Sequence, residues 1–422
     1  MRTRTETRGT AEGAPKGARG AARVLGWTAG LLTLTGIAFA AAGDVDPNFG
    51  VGGLVVTEDL PFLTAAIDCV RQADGRIVVG GFDTNMYAAG AWKFRRFADD
   101  GTPDTTFGTG GIASLFGSAD APFFSDLALE GDDDIVAVGQ TKVGTARRAT
   151  VARLSRDGVL DTSFGTGGIV RLSVPGSLGA IARDVAVLGD GKILVGGRAD
   201  FKVKNKPENG KWFLTRLRSD GSIDTGFGTG GYALYDPSTT VDDMQRKALV
   251  VLSDGSIVAG GYAETMASRW TIARFSATGA FQAAITRNTG SFVALTLDAA
   301  GRVVALGNTP FSGSTPDSAV VARYLTTGTG LAPDSAFGVG GETVVGVAGY
   351  DHVRPAAMAC SSGSEVVFSC GPYTNANPTP RSVWTLRLTS SGSLDTTFGT
   401  GGRVGPVDLS TINDAHAGVL VD

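Results

Sequence analysis

Three aspartates set the first chemical question posed by this chain of 422 residues. Asp68, Asp126 and Asp184 each stand six residues before an Asp-Gly turn or its equivalent, and Ala248, Ala294, Ala356 and His416 take the corresponding places further along. Carboxylates gathered without cations repel one another. They then either bind a hard cation such as Ca²⁺ or accept hydrogen bonds from neighbouring backbone amides, the commoner use of buried carboxylates. Asp68, Asp126 and Asp184 are therefore the candidate metal ligands, and no other cofactor is expected.

A second chemistry is offered by DTSFGTGG, residues 161–168, whose glycine amides could cradle a phosphate. Such a loop needs a strand before it and a helix after it, yet the residues that follow, GIVRL, read as strand, and GxxxxGK[ST] is absent. The phrase also recurs, starting at Asp46, Asp104, Asp161, Asp224, Asp334 and Asp395. A phosphate site is needed once; six copies mark a structural turn. Catalytic signatures are equally thin, because His352 and His416 are the only histidines and HExxH, CxxC and GxSxG do not occur. No catalytic residue is assigned. A glycoside hydrolase or lyase stays open as an alternative, since paired carboxylates converge in space and leave no local signature.

The elements that position these residues follow from the repeat. Between the motif phenylalanines Phe49, Phe107, Phe164, Phe227, Phe337 and Phe398 the steps are 58, 57, 63, 110 and 61 residues. The longest step is two periods, with a worn copy near Phe281 to Gly290. Fixed-period similarity makes the chain one array rather than two or three domains. In the clearest unit, GGIVRL, ARDVAVLGDG, KILVGG and WFLTRLRSDG predict four short strands, the middle two joined by Asp190-Gly191, a type I′ hairpin dipeptide. KILVGG and its copies are apolar without alternation, as in a strand covered on both faces. Four antiparallel strands per ~57 residues fit a radial propeller better than a solenoid. The expected fold is an all-β propeller of four-stranded blades, six complete repeats plus an incomplete seventh in which GGLVV (52–56) pairs with the tail from Ala415 to Val421. An arginine precedes each turn, at Arg96, Arg153, Arg216, Arg274, Arg323 and Arg387, and one Arg–carboxylate pair per turn is expected to lock it.

Residues 1–42 read as a Sec-type signal peptide: basic residues, then VLGWTAGLLTLTGIAFAAA with cleavage after Ala40 or Ala42. An uncleaved anchor is the alternative, because the apolar run approaches the ~20 residues of a membrane span. Cleavage leaves residues 43–422 as a single propeller domain, extracellular or periplasmic, and takes the formal charge from -4 to -8. That charge disfavours nucleic acid and anionic membrane as partners. Cys360 and Cys370 flank a hairpin about Ser362 and Gly363 but stand out of register for a disulfide.

Taken together, W-x-x-x-R-[LF], S-x-D-G-x-x-D-T-x-F-G-T-G-G and D-G-K-I-L-V-G-G resemble the delta-60 repeat family of secreted bacterial β-propeller proteins, over roughly residues 44 to 422. The resemblance implies a propeller outside the cytoplasm and supplies no activity or catalytic residues. The fifth repeat's entry and the chain's end depart from the pattern.

Comparing repeats separates two faces. The Asp-Gly turns and motif turns hardly vary, whereas the other connections vary freely and emerge on the opposite face of an antiparallel blade. Loops on a rigid scaffold are where binding is placed. The variable set carries Phe62, Tyr87, Phe123, Phe124, Tyr235, Tyr350, His352 and Tyr373, aromatic and polar groups suited to carbohydrate or protein contact. The expected function is a secreted, non-enzymatic binding propeller for a glycan or envelope protein. Self-association through the incomplete blade is a further expectation, and a purely structural surface component the remaining alternative.

Overall fold

A computed structural model describes residues 22–28, 31–35, 46–51, 53–55, 65–82, 90–202, 209–237, 243–263, 269–287, 290–310, 317–374, 382–408 and 415–421. Among them the one helical element is a 3-10 turn, Ser118–Asp120, and no helix is long and apolar enough to cross a membrane.

β-Branched and aromatic runs punctuated by glycine turns build six antiparallel four-stranded blades. Blade one is Ala65–Arg71, Ile77–Phe82, Trp92–Phe97 and Ile112–Leu115; blade two is Phe123–Glu130, Asp134–Val143, Ala146–Leu154 and Ile169–Leu172. Blade three is Gly179–Val187, Ile193–Phe201, Asn209–Leu217 and Tyr232–Tyr235; blade four is Asp243–Val251, Ile257–Ala263, Arg269–Phe275 and Phe281–Arg287. Blade five is Phe292–Leu297, Val303–Asn308, Ala319–Leu325 and Glu342–Val345, with the extra short strand Ala332–Pro333, and blade six is His352–Cys360, Val366–Tyr373, Ser382–Leu388 and Arg403–Asp408. The first strand of each blade packs against the first strand of the next, and Ala415–Val421 sits between the first strands of blades six and one. A further sheet runs in the order Ala415–Val421, Ala22–Thr28, Leu31–Thr35, Leu54–Val55, so the tail and Leu54–Val55 are its two edges and do not pair with each other as the sequence suggested.

The strand after each motif opens a repeat in the sequence but closes the preceding blade in space: Ile169–Leu172 pairs with Ala146–Leu154 as the outer edge of blade two. Repeat and blade are thus offset by one strand. The motif is the connection from third to fourth strand, and a period alone does not say where a unit is cut.

The apolar second strands are covered on both faces, and Ile77, Val78 and Val79 are all buried. Their Gly-Gly ends let blades approach. A Cβ on Gly260 would lie 2.4 Å from the Phe292 ring of blade five, and one on Gly80 would lie 2.6 Å from Phe124 of blade two. The first strands share a β-bulge, between Ala66 and Asp68, Phe124 and Asp126, Ala182 and Asp184, Phe292 and Ala294, and Pro355 and Ala357. The bulge therefore sets the three aspartates at one common position. In the sixth blade Cys360 faces Val366 and Cys370 faces Pro355, the offset read from the sequence.

Candidate functional site

On the uniform face the motifs from Asp104 to Asp334 clasp one blade to the next. Asp161 Oδ1 accepts from the Ser163 amide at 2.9 Å and the Ser163 hydroxyl at 2.6 Å, which forms the turn, while Oδ2 accepts from Arg153 Nε at 2.8 Å. Arg153 lies over the Phe164 ring, 4.7 Å from its centroid, and its Nη1 donates to the Ser219 carbonyl of the next blade at 2.7 Å. Gly165 donates its amide to the Asp220 carbonyl at 2.8 Å. The same arrangement joins Arg96 to Asp104 at 2.8 Å, Arg216 to Asp224 at 2.8 Å, and Arg323 to Asp334 and Arg387 to Asp395 at 2.7 Å each. In the worn unit the motif is missing and Arg274 uses the hairpin aspartate instead, Asp254 at 2.8 Å, while still reaching the Gly330 carbonyl of blade five. Every arginine in this series is thereby committed to scaffold. Burial opposes ionisation of Asp104, yet donors from Thr106 and Arg96 outweigh it and hold the carboxyl down at about 2.

At the bulge, the three candidate metal ligands are buried, and each one reaches the next blade. Asp68 Oδ2 accepts from the Leu127 amide at 3.3 Å, Asp126 Oδ2 from the Val185 amide at 3.1 Å, and Asp184 from the Ala248 amide. The Lys247 ammonium lies 2.7 Å from Asp68 and 3.0 Å from Asp126. Burial, partly offset by Lys247 and reinforced by Asp126, pushes Asp68 up to about 8; burial likewise raises Asp126 to about 7, and raises Asp184. Burial pulls Lys247 down, but the three carboxylates outweigh it and hold the ammonium well above the ordinary lysine range. With amides and a lysine taking their oxygens, these aspartates are not arranged as a metal cage. Among the described residues no group of three or more His, Cys, Asp or Glu is placed to hold a metal ion.

The aromatics of the variable face fall into three groups. Phe62 and Tyr87 lie outside the described residues. Phe124, His352 and Tyr373, offered by the sequence as contact residues, are buried, because they lie at the ends of strands that face a neighbouring blade. Phe124 meets Trp92 and Phe94 edge-on at 5.7 and 5.4 Å; His352 stacks on Tyr373 at 4.5 Å, with Arg354 over the other ring at 4.6 Å. Phe123, Tyr235 and Tyr350 are half-buried. Tyr235 stacks on the exposed Phe281 of blade four with centroids 5.1 Å apart, and Tyr350 meets Trp384 at 6.3 Å. Tyr350, His352 and Tyr373 are thus brought together on blade six, while the others are distributed around the ring.

Two participants are absent from the sequence reading. Lys247 adjoins the alanine that takes the aspartate position in its unit. Asp317, buried, meets His352 Nδ1 at 2.5 Å from a distance of 35 residues and links blade five to blade six. A lysine beside the common position was a usable signal; nothing local marks Asp317.

Residues 72–107, 130–164 and 188–227 match the family model described as a domain of unknown function (DUF5122) beta-propeller. No curated protein matches the chain. Among solved structures the chain is similar to a protein of unknown function from Dyadobacter fermentans, with TM-score 0.46 and 13% identity over 74% of this chain and 92% of that one. It is similar too to the Dos1 propeller, with TM-score 0.46 and 13% identity over 86% of this chain and 81% of that one. A third is the PQQ-bound aldose sugar dehydrogenase of Streptomyces coelicolor, with TM-score 0.42 and 14% identity over 85% and 94%. The matched repeats and the six blades that contain them make this chain a β-propeller protein.

Proposed function

We propose that the protein is a secreted, non-enzymatic binding propeller of the delta-60 type that contacts a glycan or an envelope protein through its variable-loop face. One observation carries this reading: the uniform face uses its recurring polar groups to clasp blade to blade, so chemical variety is confined to the opposite connections. Tyr350, Tyr235 and Phe123, partly accessible there, supply aromatic surface of the kind sugars and proteins stack upon. Residues 1–42 act as the export signal in this reading. Their removal takes away Ala22–Thr28 and Leu31–Thr35 and leaves Leu54–Val55 and Ala415–Val421 as the incomplete seventh blade, an edge open to association.

A glycan array combined with capture from envelope fractions tests the proposal. Saturable binding without turnover supports it. Glycan turnover by purified protein that one carboxylate substitution abolishes replaces it with the glycoside hydrolase or lyase reading.

A further inference from the structure

The first strand of blade four departs from its counterparts. In the other five blades the bulge leaves one residue of the first strand out of the ladder; in blade four, pairing passes from Met244 opposite Gly261 to Leu249 opposite Ala259. Lys247 stands in this longer bulge in a left-handed conformation, φ 52°, with its side chain 39% exposed. Its ammonium does not pair within its own blade or stop at the adjacent one. It reaches Asp68 of blade one and Asp126 of blade two, at 2.7 and 3.0 Å.

We propose that Lys247 is a proton-controlled bolt: held by the ionised carboxylates of Asp68 and Asp126, it ties blade four to blades one and two across the centre of the ring, and protonation of those carboxyls releases it. The groups that act on the ammonium are Asp126, Asp68 and Asp184, one from each first strand of blades one to three. Arg183, beside Asp184, is occupied by Asp243 at 2.7 Å. Blades five and six offer Ala294 and Ala357 at the equivalent position, and His416 is the titratable residue of Ala415–Val421.

Three ionised carboxylates face one ammonium, so the cluster has a charge deficit that burial makes costly. Relief comes from proton uptake by carboxyls whose affinity already lies near neutrality, Asp68 at about 8 and Asp126 at about 7. Lys247 keeps its proton throughout. Once its partners are neutral, the ammonium gains more from water than from the cluster, and its part-exposed side chain has a route outward.

Hydrogen exchange of a peptide spanning residues 243–251, corrected for intrinsic rates and read by mass spectrometry, tests the bolt. In the wild-type protein, protection of this segment is expected to fall about tenfold between about pH 8 and about pH 5.5, while the clasp segments hold theirs. Lys247→Met is expected to show the low value at both pH values. Asp68→Asn combined with Asp126→Asn, which mimics the protonated pair, is expected to do the same. Equal wild-type protection at the two pH values overturns the proposal, as does Lys247→Met with wild-type protection at high pH. If the double variant does not fold, as circular dichroism would show, the wild-type profile and Lys247→Met decide.

Discussion

Arg96 shows how much one side chain does on the uniform face. Buried, it holds Asp104 at 2.8 Å, Asp157 at 2.9 Å and the Arg156 carbonyl at 2.7 Å, and lies 5.1 Å from the Phe107 centroid. Arg96→Met strands Asp104 and is expected to cost about 3 kcal/mol, read as a lower urea midpoint. Two families of carboxyls pull stability in opposite directions with pH. Asp104, held at about 2, is more acidic in the fold than in the unfolded chain, near 4; its contribution is present above about pH 4 and is lost as pH falls through 2. Asp68 and Asp126, raised to about 8 and about 7, prefer their protonated forms in the fold; that contribution is full below about pH 4 and is lost as pH rises through 7 to 8. Urea midpoints are therefore expected to peak in the mildly acid range. Asp68→Asn should flatten the decline above the peak and leave the acid limb unchanged. A wild-type midpoint that rises steadily from pH 5 to about pH 8 would sink this assignment. Calcium should shift the melting temperature of wild type and of the Asp68→Asn, Asp126→Asn, Asp184→Asn variant equally or not at all, since Lys247 fills the cluster.

At the scale of the element, the clasp turns on where its glycines sit. Gly158 has φ 80°, and a Cβ there would stand 2.7 Å from the Phe107 ring of the preceding clasp; Gly167 has φ 60° with open space around it. Gly158→Ala combines backbone strain with displacement of a buried ring and is expected to cost about 3 kcal/mol, against about 1 kcal/mol for Gly167→Ala. Equal losses in thermal unfolding would mean that the ring contact between blades carries no weight. This element was legible in the sequence because its parts lie close along the chain: an arginine, an aspartate eight residues on, a phenylalanine and glycines, repeated. The Lys247 bulge was not legible in the same way. Ala248 takes the aspartate position in unit four, whereas the longer bulge delivers the neighbouring lysine to the same centre. Aromatics misled for a related reason. Phe124 is the second residue of its strand and points at blade one, and the side of a strand that meets another blade is a matter of twist and stacking, not of local pattern.

For the whole molecule, period and strand count conveyed a propeller of four-stranded blades, and the invariant and variable connections conveyed two unlike faces. What the period left open was the cut between blades and the partners that meet only in space, Asp317 with His352 and Lys247 with Asp68. In the proposed function the variable face makes the contacts while the uniform face holds the ring. This division is tested most directly by glycan-array and envelope-protein binding with two sets of surface variants. One set alters exposed positions of the variable face, Ala119→Arg, Leu178→Asp and Lys202→Glu; the other alters exposed positions of the uniform face, Val51→Asp, Val159→Asp and Val339→Asp. Binding is predicted to fall in the first set and to match wild type in the second. Loss confined to the second set, with the first unaffected, would contradict the assignment of the faces.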